Sequence, residues 1–433
     1  MQLELRNVKG TKDYLPEEQR VRAFIQNTLE RVFLTYGCKP LETPMLQYYD
    51  LLASKYGGGE EILKEVYKLH DQGQRDLALR YDLTIPLAKV IGMNPEMRLP
   101  FKRYEIGKVF RDGPIKLGRF REFTQCDVDV VGVPSVIAEA ELMSMAADAF
   151  AQLGLSVVIS YNNRKLLTGV LAALAVEEEQ WEGAMLSLDK WEKIGAEGVR
   201  KDMEERGIGR AAIDSLLAFI MDGQEKTVAY LASRFADSAL VQEGAAELAQ
   251  LAEYLIAAGI ADQTQFTPFL ARGLSIYTGT VYEIFLRDGS ITSSIGSGGR
   301  YDRIIGQFLQ NGKEYPAVGI SFGLDVIATA LLQKDREVEE EEHRVFFIPI
   351  GTEKESMAMV QYLRKAGIRT ELELTGKRMK KALDYANKEG FPFVLIYGET
   401  EAQDGVVVLR SMREGVEQKV AQDELVSVLQ KLL

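Results

Sequence analysis

The amino-acid sequence predicts an α+β protein with three parts. Residues 101–132 form two strand-like runs around a turn, residues 165–260 follow helical periodicity, and beyond residue 344 short apolar runs alternate with helical patterns. Strands and helices that are segregated along a chain are typical of α+β folds, whereas their alternation is typical of α/β domains. We therefore expect a sheet domain interrupted by a helical insertion and followed by a small α/β domain.

The domain boundaries follow from changes in composition and charge. Residues 1–164 and 261–333 would form the two parts of the sheet domain, separated by the Ala-, Leu- and Glu-rich insertion at 165–260. The charge run KDREVEEEEHR, residues 334–344, predicts an acidic linker. Residues 345–433 contain the runs VFFIPI and FVLIYG, which are apolar enough to be strands covered on both faces, with helical patterns between them.

The overall composition is that of a globular protein. A chain of 433 residues is longer than a single hydrophobic core usually supports, so we expect more than one domain. Hydrophobic residues make up 46% and charged residues 27% of the chain, as is usual for globular proteins. The start, MQLELRNVKGTKDYLP, carries charges where a signal peptide has an apolar core, and no apolar run is long enough to span a bilayer. Two cysteines without a CxxC motif fit a reducing compartment. We expect a cytoplasmic protein without a membrane partner.

The charge of the chain is unevenly distributed. The chain has 52 Lys and Arg residues and 64 Asp and Glu residues. The resulting net charge of −12 argues against a protein that coats nucleic acid through its overall charge. Residues 343–433 nevertheless hold 14 basic and 13 acidic residues, so the excess of acid lies in the earlier part. A local basic patch in the C-terminal part remains compatible with nucleic-acid contact.

The segment FKRYEIGKVFRDGPIKLGRFREFTQCDVDVVG predicts a hairpin whose second arm has one polar face. Because side chains alternate along a strand, Arg119 and Arg121 share this face with Gln125, Asp127 and Asp129. A carboxylate among neighbouring valines needs a cation or hydrogen-bond donors, or its pKa rises. Two interpretations fit: an internal ion-pair ladder across the hairpin, or a pocket that binds phosphate at its arginine end and an ammonium or imidazole group at its acidic end.

Three shorter segments carry polar residues or glycines of the same kind. In LRYDLTIPLAKVI, Asp82 and Thr84 would share a face of an extended segment, or Asp82 would cap the start of a helix. RGLSIYTGTVYE begins with Arg272 beside a glycine. SIGSGGRYD contains Gly298 and Gly299, where the backbone can approach a small ligand closely, although the spacing of a P-loop is missing.

His70 and His343 are the only histidines of the chain, and neither lies in a zinc-binding or catalytic-triad pattern. We therefore assign no residue to a protein metal site. Catalysis by this chain would rest on positioning and charge stabilisation.

Six motifs in this order resemble those of the histidyl-tRNA synthetases, a family of class II aminoacyl-tRNA synthetases. They are KGTKDYLPEEQ, YGCKPLETP (the dimer-forming motif 1), RYDLT, the hairpin FRDGPIKLGRFREFTQCDVD (motif 2), RGLSIYTG and SGGRYD. An insert of the LDK-KIG type and the C-terminal segment ELELTGKRMKKALDYANK extend the likeness over nearly the whole chain. The resemblance implies a class II antiparallel sheet flanked by helices, a C-terminal anticodon-binding domain and a homodimer, in a divergent paralogue of the family.

The resemblance also implies how ATP is bound. Arg111 and Arg272 would hold the α-phosphate and offset the charge that builds when the histidine carboxylate attacks it. Arg119 would lie nearer the outer phosphates, and Mg²⁺ would bridge phosphate oxygens.

For the amino acid, the resemblance implies a set of direct contacts. Asp82, Thr84 and Gln125 would bind the α-amino group, and Asp129 and Tyr277 would bind the two imidazole nitrogens. The backbone would close over the substrate at Gly298 and Gly299.

The implied reaction is the ATP-dependent joining of histidine to tRNA(His) through a histidyl-adenylate. The basic stretch GKRMKK, residues 376–381, would lie near the anticodon stem, although a solvated helix face explains the same lysines equally well. The alternative is a non-catalytic histidine-binding regulator, such as the regulatory subunit of ATP phosphoribosyltransferase.

Two departures from the family pattern bear on that choice. Ser275 and Ile276 stand where Asp and Tyr are usual, which alters one aromatic wall of the pocket. In motif 3, Asp325 and Val326 stand where the family has Glu and Arg, and a valine cannot stack on adenine or pair with a phosphate.

Another arginine, Arg103 or Arg300, is a candidate to replace the missing one. The altered motif 3 favours the regulator, whereas the C-terminal domain and the retention of Arg111 and Arg272 favour the ligase. We expect the ligase.

Overall fold

The computed structural model describes residues 4–53, 63–115, 118–271, 276–333 and 344–433. The chain divides into two compact units, Met1–Arg336 and Glu337–Leu433. The larger unit contains a mixed, mostly antiparallel sheet with helices, and the smaller unit has a sheet and helices of its own. The predicted α+β class is thereby confirmed, and the finer domain boundaries stay predictions.

The larger unit is built on an eight-stranded sheet with the order β1-β5-β6-β11-β10-β9-β7-β8 and a separate three-stranded sheet with the order β2-β4-β3. Among the described strands of the large sheet, only the pairs β1–β5 and β7–β8 are parallel. The strands are β1 (Lys39–Pro40), β2 (Leu46–Tyr48), β3 (Lys68–His70), β4 (Asp76–Leu79), β5 (Phe101–Phe110), β6 (Glu122–Val131), β7 (Val157–Asn163), β8 (Thr264–Phe266), β9 (Thr280–Leu286), β10 (Gly296–Arg300) and β11 (Ala317–Gly323).

Helices flank the large sheet, and the buried polar side chains of its central strands lie on one of its faces. The described helices of this unit are α1 (Pro16–Thr35), α2 (Tyr49–Ala53), α3 (Thr84–Met93), α4 (Ile137–Gln152), α5 (Arg164–Ala173), α6 (Trp181–Leu188), α7 (Trp191–Glu205), α8 (Arg210–Ile220), α9 (Val228–Arg234), α10 (Ala239–Ala257), α11 (Ile304–Leu309) and α12 (Leu324–Gln333). The ring of Phe322 on β11 lies 5.5 Å from Phe33 of α1 and 5.6 Å from Phe150 of α4, between centroids. These contacts fix which face of β11 is the apolar one.

The predicted helical segment between β7 and β8 forms helices α5 to α10. Its apolar residues share a buried core that includes Leu167, Leu171, Met203, Ile213 and Leu216. Amphipathic helices of this kind gain most of their stability by burying one apolar face against their neighbours.

The smaller unit is a five-stranded sheet with the order β13-β12-β14-β15-β16. Parallel pairing joins β12 to β13 and β14, and antiparallel pairing adds β15 and β16. Its elements are β12 (Arg344–Ile350), α13 (Glu353–Lys365), β13 (Arg369–Leu372), α14 (Met379–Lys388), β14 (Phe393–Gly398), α15 (Glu399–Asp404), β15 (Val406–Ser411), β16 (Glu417–Ala421) and α16 (Leu425–Leu432).

Among the described residues, no helix combines the length and the apolar character that crossing a membrane requires.

Candidate active site

Polar side chains of three neighbouring strands gather on one face of the large sheet. The register places Arg103 opposite Asp129 and Glu105 opposite Asp127 in the β5–β6 hairpin, and Ser321 of β11 opposite Asp127 on the other side. Residues that are directly opposite in neighbouring strands share a face. The predicted polar face of β6 therefore continues across β5 and β11.

At Asp129 the structure has the ion pair that one of the two sequence interpretations predicted. Arg103 Nη2 lies 2.7 Å from Asp129 Oδ2, and the Tyr301 hydroxyl donates to Asp129 Oδ1. Arg103 Nη2 also donates to the Leu83 carbonyl oxygen at 3.0 Å. Burial raises the pKa of Asp129, and the charge of Arg103 opposes that rise. Both oxygens of Asp129 thus have a protein partner nearby.

A second buried ion pair continues this ladder. Arg80 Nη1 lies 2.8 Å from Glu105 Oε1, which also accepts hydrogen bonds from the Thr43 backbone N–H and hydroxyl at 2.9 and 2.7 Å. Arg103 Nη1 lies 3.6 Å from the other oxygen of Glu105. The RYDLT segment is thereby tied, through Arg80, to motif 1 and to the hairpin.

Asp127, on the same face, has a hydrogen bond with Ser321 but forms no ion pair within 4 Å among the described residues. Its side chain is almost wholly buried, and its Oδ1 has no hydrogen-bond partner among the described residues. Burial raises the pKa of Asp127 to about 7, Arg103 lowers it, and Asp129 raises it further. The neighbouring Gln125 donates from Nε2 to Ser321 Oγ at 2.7 Å, while its Oε1 is likewise buried without a partner in the described part.

The RYDLT segment is the start of a helix. Asp82 Oδ1 accepts hydrogen bonds from the backbone N–H groups of Thr84 and Ile85 at 3.1 and 2.9 Å, at the beginning of α3. The helix-cap interpretation holds, and the extended alternative is wrong, because Thr84 is already helical. The charge of Asp82 raises the pKa values of Asp127 and Asp129, so Asp82 lies near both carboxyl groups.

Arg111 is held at the other end of the same face by aromatic rings. Its guanidinium carbon lies 4.2 Å from the Tyr81 ring centroid and 5.1 Å from that of Phe123. Its Nε donates to the Tyr81 carbonyl oxygen at 3.2 Å. No carboxylate of the described ranges pairs with Arg111. A partly buried cation without an ion-pair partner is suited to an anionic ligand.

The other predicted arginines differ in position. Arg119 is exposed. Arg121, which was expected at the arginine end of the pocket, pairs with Asp112 at 2.9 Å. Arg272 and Ser275 lie outside the described residues.

Tyr277 and the two glycines of SGGRYD pack together. Tyr277 is buried, and a Cβ atom at Gly299 would lie 2.8 Å from its ring. Gly298 has a different neighbour, because a Cβ atom there would lie 2.0 Å from the Gly319 carbonyl oxygen on β11. Close packing within the protein therefore explains why a glycine occupies each of these positions. Closure of the backbone over a substrate stays a prediction.

Motif 3 joins the hairpin to the N-terminal helix. The Asp325 carboxylate pairs with Arg22 of α1, accepts from the Tyr14 hydroxyl at 2.6 Å, and accepts from the Thr124 backbone N–H at 2.8 Å. Val326 borders the hairpin loop: a Cβ atom at Gly118 would lie 3.4 Å from Val326 Cγ2.

Neither arginine that was expected to replace the missing motif 3 arginine is available. Arg300 donates from Nε to Glu139 Oε1 at 2.6 Å and lies 3.2 Å from Asp302, and Arg103 is committed to Asp129. That expectation is wrong, because both guanidinium groups are buried in ion pairs within the protein.

Arg80 and Glu105 lie in the ion-pair ladder of this face but were not assigned to it from the sequence, and Arg103 was considered only as a replacement for the motif 3 arginine. The sequence contained a signal for Arg103 and Glu105. Side chains alternate along the first hairpin arm as they do along the second, and this alternation puts both residues on one face. Tyr301, in contrast, meets Asp129 only through the fold.

Comparisons with known proteins agree with the motifs. The model of the histidyl-tRNA synthetase family matches residues 10–327, and that of an anticodon-binding domain matches residues 344–432. "Histidine–tRNA ligase 1" of Bacillus anthracis is 60% identical over 428 residues, which are 99% of this chain and 100% of the relative.

Two solved structures resemble the chain as a whole. A histidyl-tRNA synthetase from Nostoc sp. PCC 7120 has a TM-score of 0.85 at 28% identity, with 100% of both chains covered. An ATP phosphoribosyltransferase regulatory subunit/histidyl-tRNA synthetase from Bacillus halodurans has a TM-score of 0.76 at 19% identity, with 92% of this chain and 99% of the other covered. At that identity the second likeness concerns the fold alone.

Proposed function

The chain belongs to the histidyl-tRNA synthetase family, and we propose on this basis that it joins histidine to tRNA(His) with the use of ATP. The match extends over both the sheet domain and the anticodon-binding domain. The geometry that supports the proposal is a single sheet face with Arg111 at one end and Asp82, Asp127 and Asp129 at the other. Such a face can hold an anionic phosphate and a cationic amino acid next to each other.

In the first step, an oxygen of the histidine carboxylate attacks the α-phosphorus of ATP. The bond from that phosphorus to the bridging oxygen breaks, pyrophosphate leaves, and histidyl-adenylate remains. Arg111 stabilises the negative charge on the α-phosphate oxygens as it builds. Its contacts with Tyr81 and Phe123 hold the guanidinium in position before the substrates bind, so little reorganisation is needed during the reaction.

In the second step, a hydroxyl group of the terminal ribose of tRNA attacks the histidyl carbonyl carbon, and AMP leaves. Arg272 is proposed to act with Arg111 on the α-phosphate, and Arg119 to contact the outer phosphates. The exposed position of Arg119 is compatible with that role.

The α-amino group of histidine is proposed to bind near Asp82, Thr84 and Gln125. Asp82 is fixed by the two backbone hydrogen bonds that cap α3, so its carboxylate is oriented in advance. The acidic end of the face then receives the imidazole ring.

Mg²⁺ is proposed to bind together with ATP. Among the described residues, His, Cys, Asp and Glu form no group of three or more that could hold a metal by themselves. Mg²⁺ commonly uses substrate phosphates with few protein ligands, and it would here be held chiefly by phosphate oxygens. When bound, it offsets the charge of the phosphates.

The regulatory alternative is less well supported. Curated ligases match the chain over nearly its full length at 60% identity, and the C-terminal anticodon-binding match is one that a regulator of this kind typically lacks. We also propose a homodimer through motif 1 and a location in the cytoplasm, where tRNA and ATP are available. A monomer in sedimentation at micromolar protein concentration would contradict the first of these.

The function is tested by histidine-dependent exchange between ATP and pyrophosphate, followed by charging of a tRNA(His) transcript. We expect both activities in the wild-type chain, their loss in Arg272→Ala, and their retention in Arg413→Ala, an exposed arginine of the smaller unit. Absence of exchange at saturating histidine contradicts the ligase. Exchange without charging would indicate an amino-acid-activating enzyme with a different acceptor.

A further inference from the structure

The loop between β13 and α14, residues 373–378, is organised around one buried carboxylate. Glu373 directly follows β13, and only 7% of it is exposed. Its Oε1 accepts hydrogen bonds from the Thr375 backbone N–H at 2.9 Å and from the Thr375 hydroxyl, and its Oε2 accepts from the Lys377 N–H at 3.2 Å. Burial raises the pKa of Glu373, but these hydrogen bonds outweigh burial and the pKa is lowered. Glu373 is therefore an anion at neutral pH.

Gly376 completes this turn. Its φ of +63° lies in the left-handed region, which glycine adopts without strain. Apart from its chain neighbours, no heavy atom lies within 4 Å of where its Cβ would be, so conformation and not space explains the glycine. Successive backbone N–H groups that converge on one anion form a nest, and such nests commonly bind phosphate. Here the chain's own carboxylate fills the nest.

The helix that follows begins with an excess of positive charge. Four exposed basic residues lie in its first turn or just before it: Lys377, Arg378, Lys380 and Lys381. The first turn of α14 has no acidic residue. Because the N-terminal end of a helix carries a partial positive charge, cations there are unfavourable and acids are favourable. An exposed group of cations at a place where it weakens the helix is suited to an anionic partner.

Glu373 does not neutralise these cations. Its oxygens are bonded by backbone N–H groups and a hydroxyl, and it forms no ion pair in the described part of the smaller unit. Lys377 instead lies over the Tyr385 ring, with its Nζ 4.6 Å from the ring centroid. This cation–π contact orients the ammonium group without cancelling its charge. Glu373 thus fixes the backbone from which Lys377 and Arg378 project, while both charges stay available.

We propose that Glu373 is a positioning residue for RNA binding, which holds the 374–378 loop in the shape that presents Lys377 and Arg378 to the phosphate backbone of tRNA. This inference rests on the proposed function, and it assigns a role to the acid beside the basic stretch. Removal of an acid normally strengthens binding to a polyanion, because less negative charge faces it. Removal of Glu373 is expected to weaken binding, and this opposite sign distinguishes positioning from a general charge effect.

The test compares two substitutions that remove the same charge. Glu373→Gln replaces the buried carboxylate, whereas Glu371→Gln removes an exposed carboxylate of β13 and keeps an oxygen that can accept from the Tyr385 hydroxyl. Binding of a fluorescently labelled tRNA(His) transcript to the full chain is measured by anisotropy at a series of salt concentrations. Glu373→Gln should weaken binding by about fivefold to twentyfold and reduce the slope of log affinity against log salt by about one to two, because Lys377 and Arg378 lose their fixed orientation. Glu371→Gln should bind as tightly as wild type or more tightly.

Gly376 provides a second pair of variants that leaves every charge in place. Gly376→Val should open the turn and reproduce the loss of affinity, because a β-branched residue strongly disfavours a positive φ. Gly376→Asn is the matched control, since asparagine tolerates the left-handed conformation, and it should keep most of the wild-type affinity. Thermal melting of each variant verifies that it is folded.

Two results would overturn the inference. Wild-type or tighter binding by Glu373→Gln is the behaviour of an acid that merely repels phosphate. Weaker binding with the wild-type salt slope would mean that the phosphate contacts of Lys377 and Arg378 do not depend on Glu373. Should Glu373→Gln fail to fold, Gly376→Val decides in its place, and wild-type affinity in that variant would have the same meaning.

The binding test is separate from the test of the ligase activity. Loss of tRNA affinity in Glu373→Gln, in a chain that shows no charging, would contradict the proposed function and leave the role of Glu373 standing. Charging by the wild-type chain, with unchanged tRNA affinity in Glu373→Gln and Gly376→Val, would do the reverse. A wild-type chain that binds no tRNA would contradict both.

Discussion

Arg103 and Asp129 face each other across the β5–β6 hairpin in an ion pair whose Nη2–Oδ2 distance is 2.7 Å and whose side chains are 0% and 4% exposed. Arg103 also faces Glu105, so a single guanidinium serves two acidic partners. A buried pair of this kind contributes little net stability relative to apolar residues of similar volume, but it is costly to break from one side.

The variant Arg103→Met is therefore expected to lower the free energy of unfolding by about 3–5 kcal/mol, because it leaves Asp129 buried without its cation. The measurement is urea denaturation followed by circular dichroism. Lys201→Met, which removes one partner of an exposed pair with Glu205, should leave the midpoint unchanged. The double variant Arg103→Met/Asp129→Leu should recover part of the loss, and a double variant as unstable as the single one would count against this account.

The buried carboxyl of Asp127 makes stability depend on pH. Its pKa is raised to about 7 by burial and by Asp129 and Asp82, against the opposing influence of Arg103 and Ser321. Between about pH 4 and pH 7 the folded chain keeps a proton that the unfolded chain has released, so this group makes stability fall as the pH rises.

Asp127→Asn should remove that contribution, which is on the order of a few kcal/mol across this range. Urea midpoints of the wild-type chain and the variant are compared at about pH 5 and pH 8. The stability of the variant relative to wild type should rise with pH, whereas Asp214→Asn should follow the wild-type curve. Parallel curves for Asp127→Asn would mean that the carboxyl is already ionised in the folded chain at low pH.

Arg111→Ala is expected to reduce the turnover number of ATP–pyrophosphate exchange by about a hundredfold or more, because the charge that develops on the α-phosphate loses its fixed partner. Its melting temperature should change little, since the described residues offer Arg111 ring and carbonyl contacts but no ion pair. Arg413→Ala is again the matched control. Wild-type turnover in Arg111→Ala would exclude the proposed electrostatic role.

The basic stretch of the smaller unit is expected to bind the phosphate backbone of tRNA. Lys380 and Lys381 are exposed at the start of α14. Replacing both with Gln should raise the KM for tRNA and reduce the slope of log affinity against log salt by about one for each lysine. ATP–pyrophosphate exchange needs no tRNA and should stay at the wild-type rate. Lys431→Gln, in the last helix, is the control, and equal salt slopes in all three chains would mean that Lys380 and Lys381 do not contact the backbone.

Local patterns in the sequence predicted much of this architecture. The alternation of residues in β6 gave the correct polar face, and helical periodicity indicated the helices between β7 and β8. These predictions succeed because strand and helix periods are local properties of the chain.

The partners within the polar face could not be predicted in the same way. Tyr301 reaches Asp129 from 172 positions along the chain, and Arg300 meets Glu139 from 161. Such contacts depend on the order of strands in the sheet, which no local pattern specifies. The choice between an extended segment and a helix cap at Asp82 was open for a related reason, since an Asp in that position is compatible with both.

The parallel pairing of β7 with β8 constrains how the chain can be shortened. Ser160 pairs with Gln265, so β7 and the edge strand β8 run in the same direction, and helices α5 to α10 supply the return path between them. A tight hairpin turn cannot join parallel strands, because the chain must travel back along the sheet before it re-enters. A miniaturised version of this protein must therefore replace the helices with a crossover of about a dozen residues or more, or give up the outermost strand.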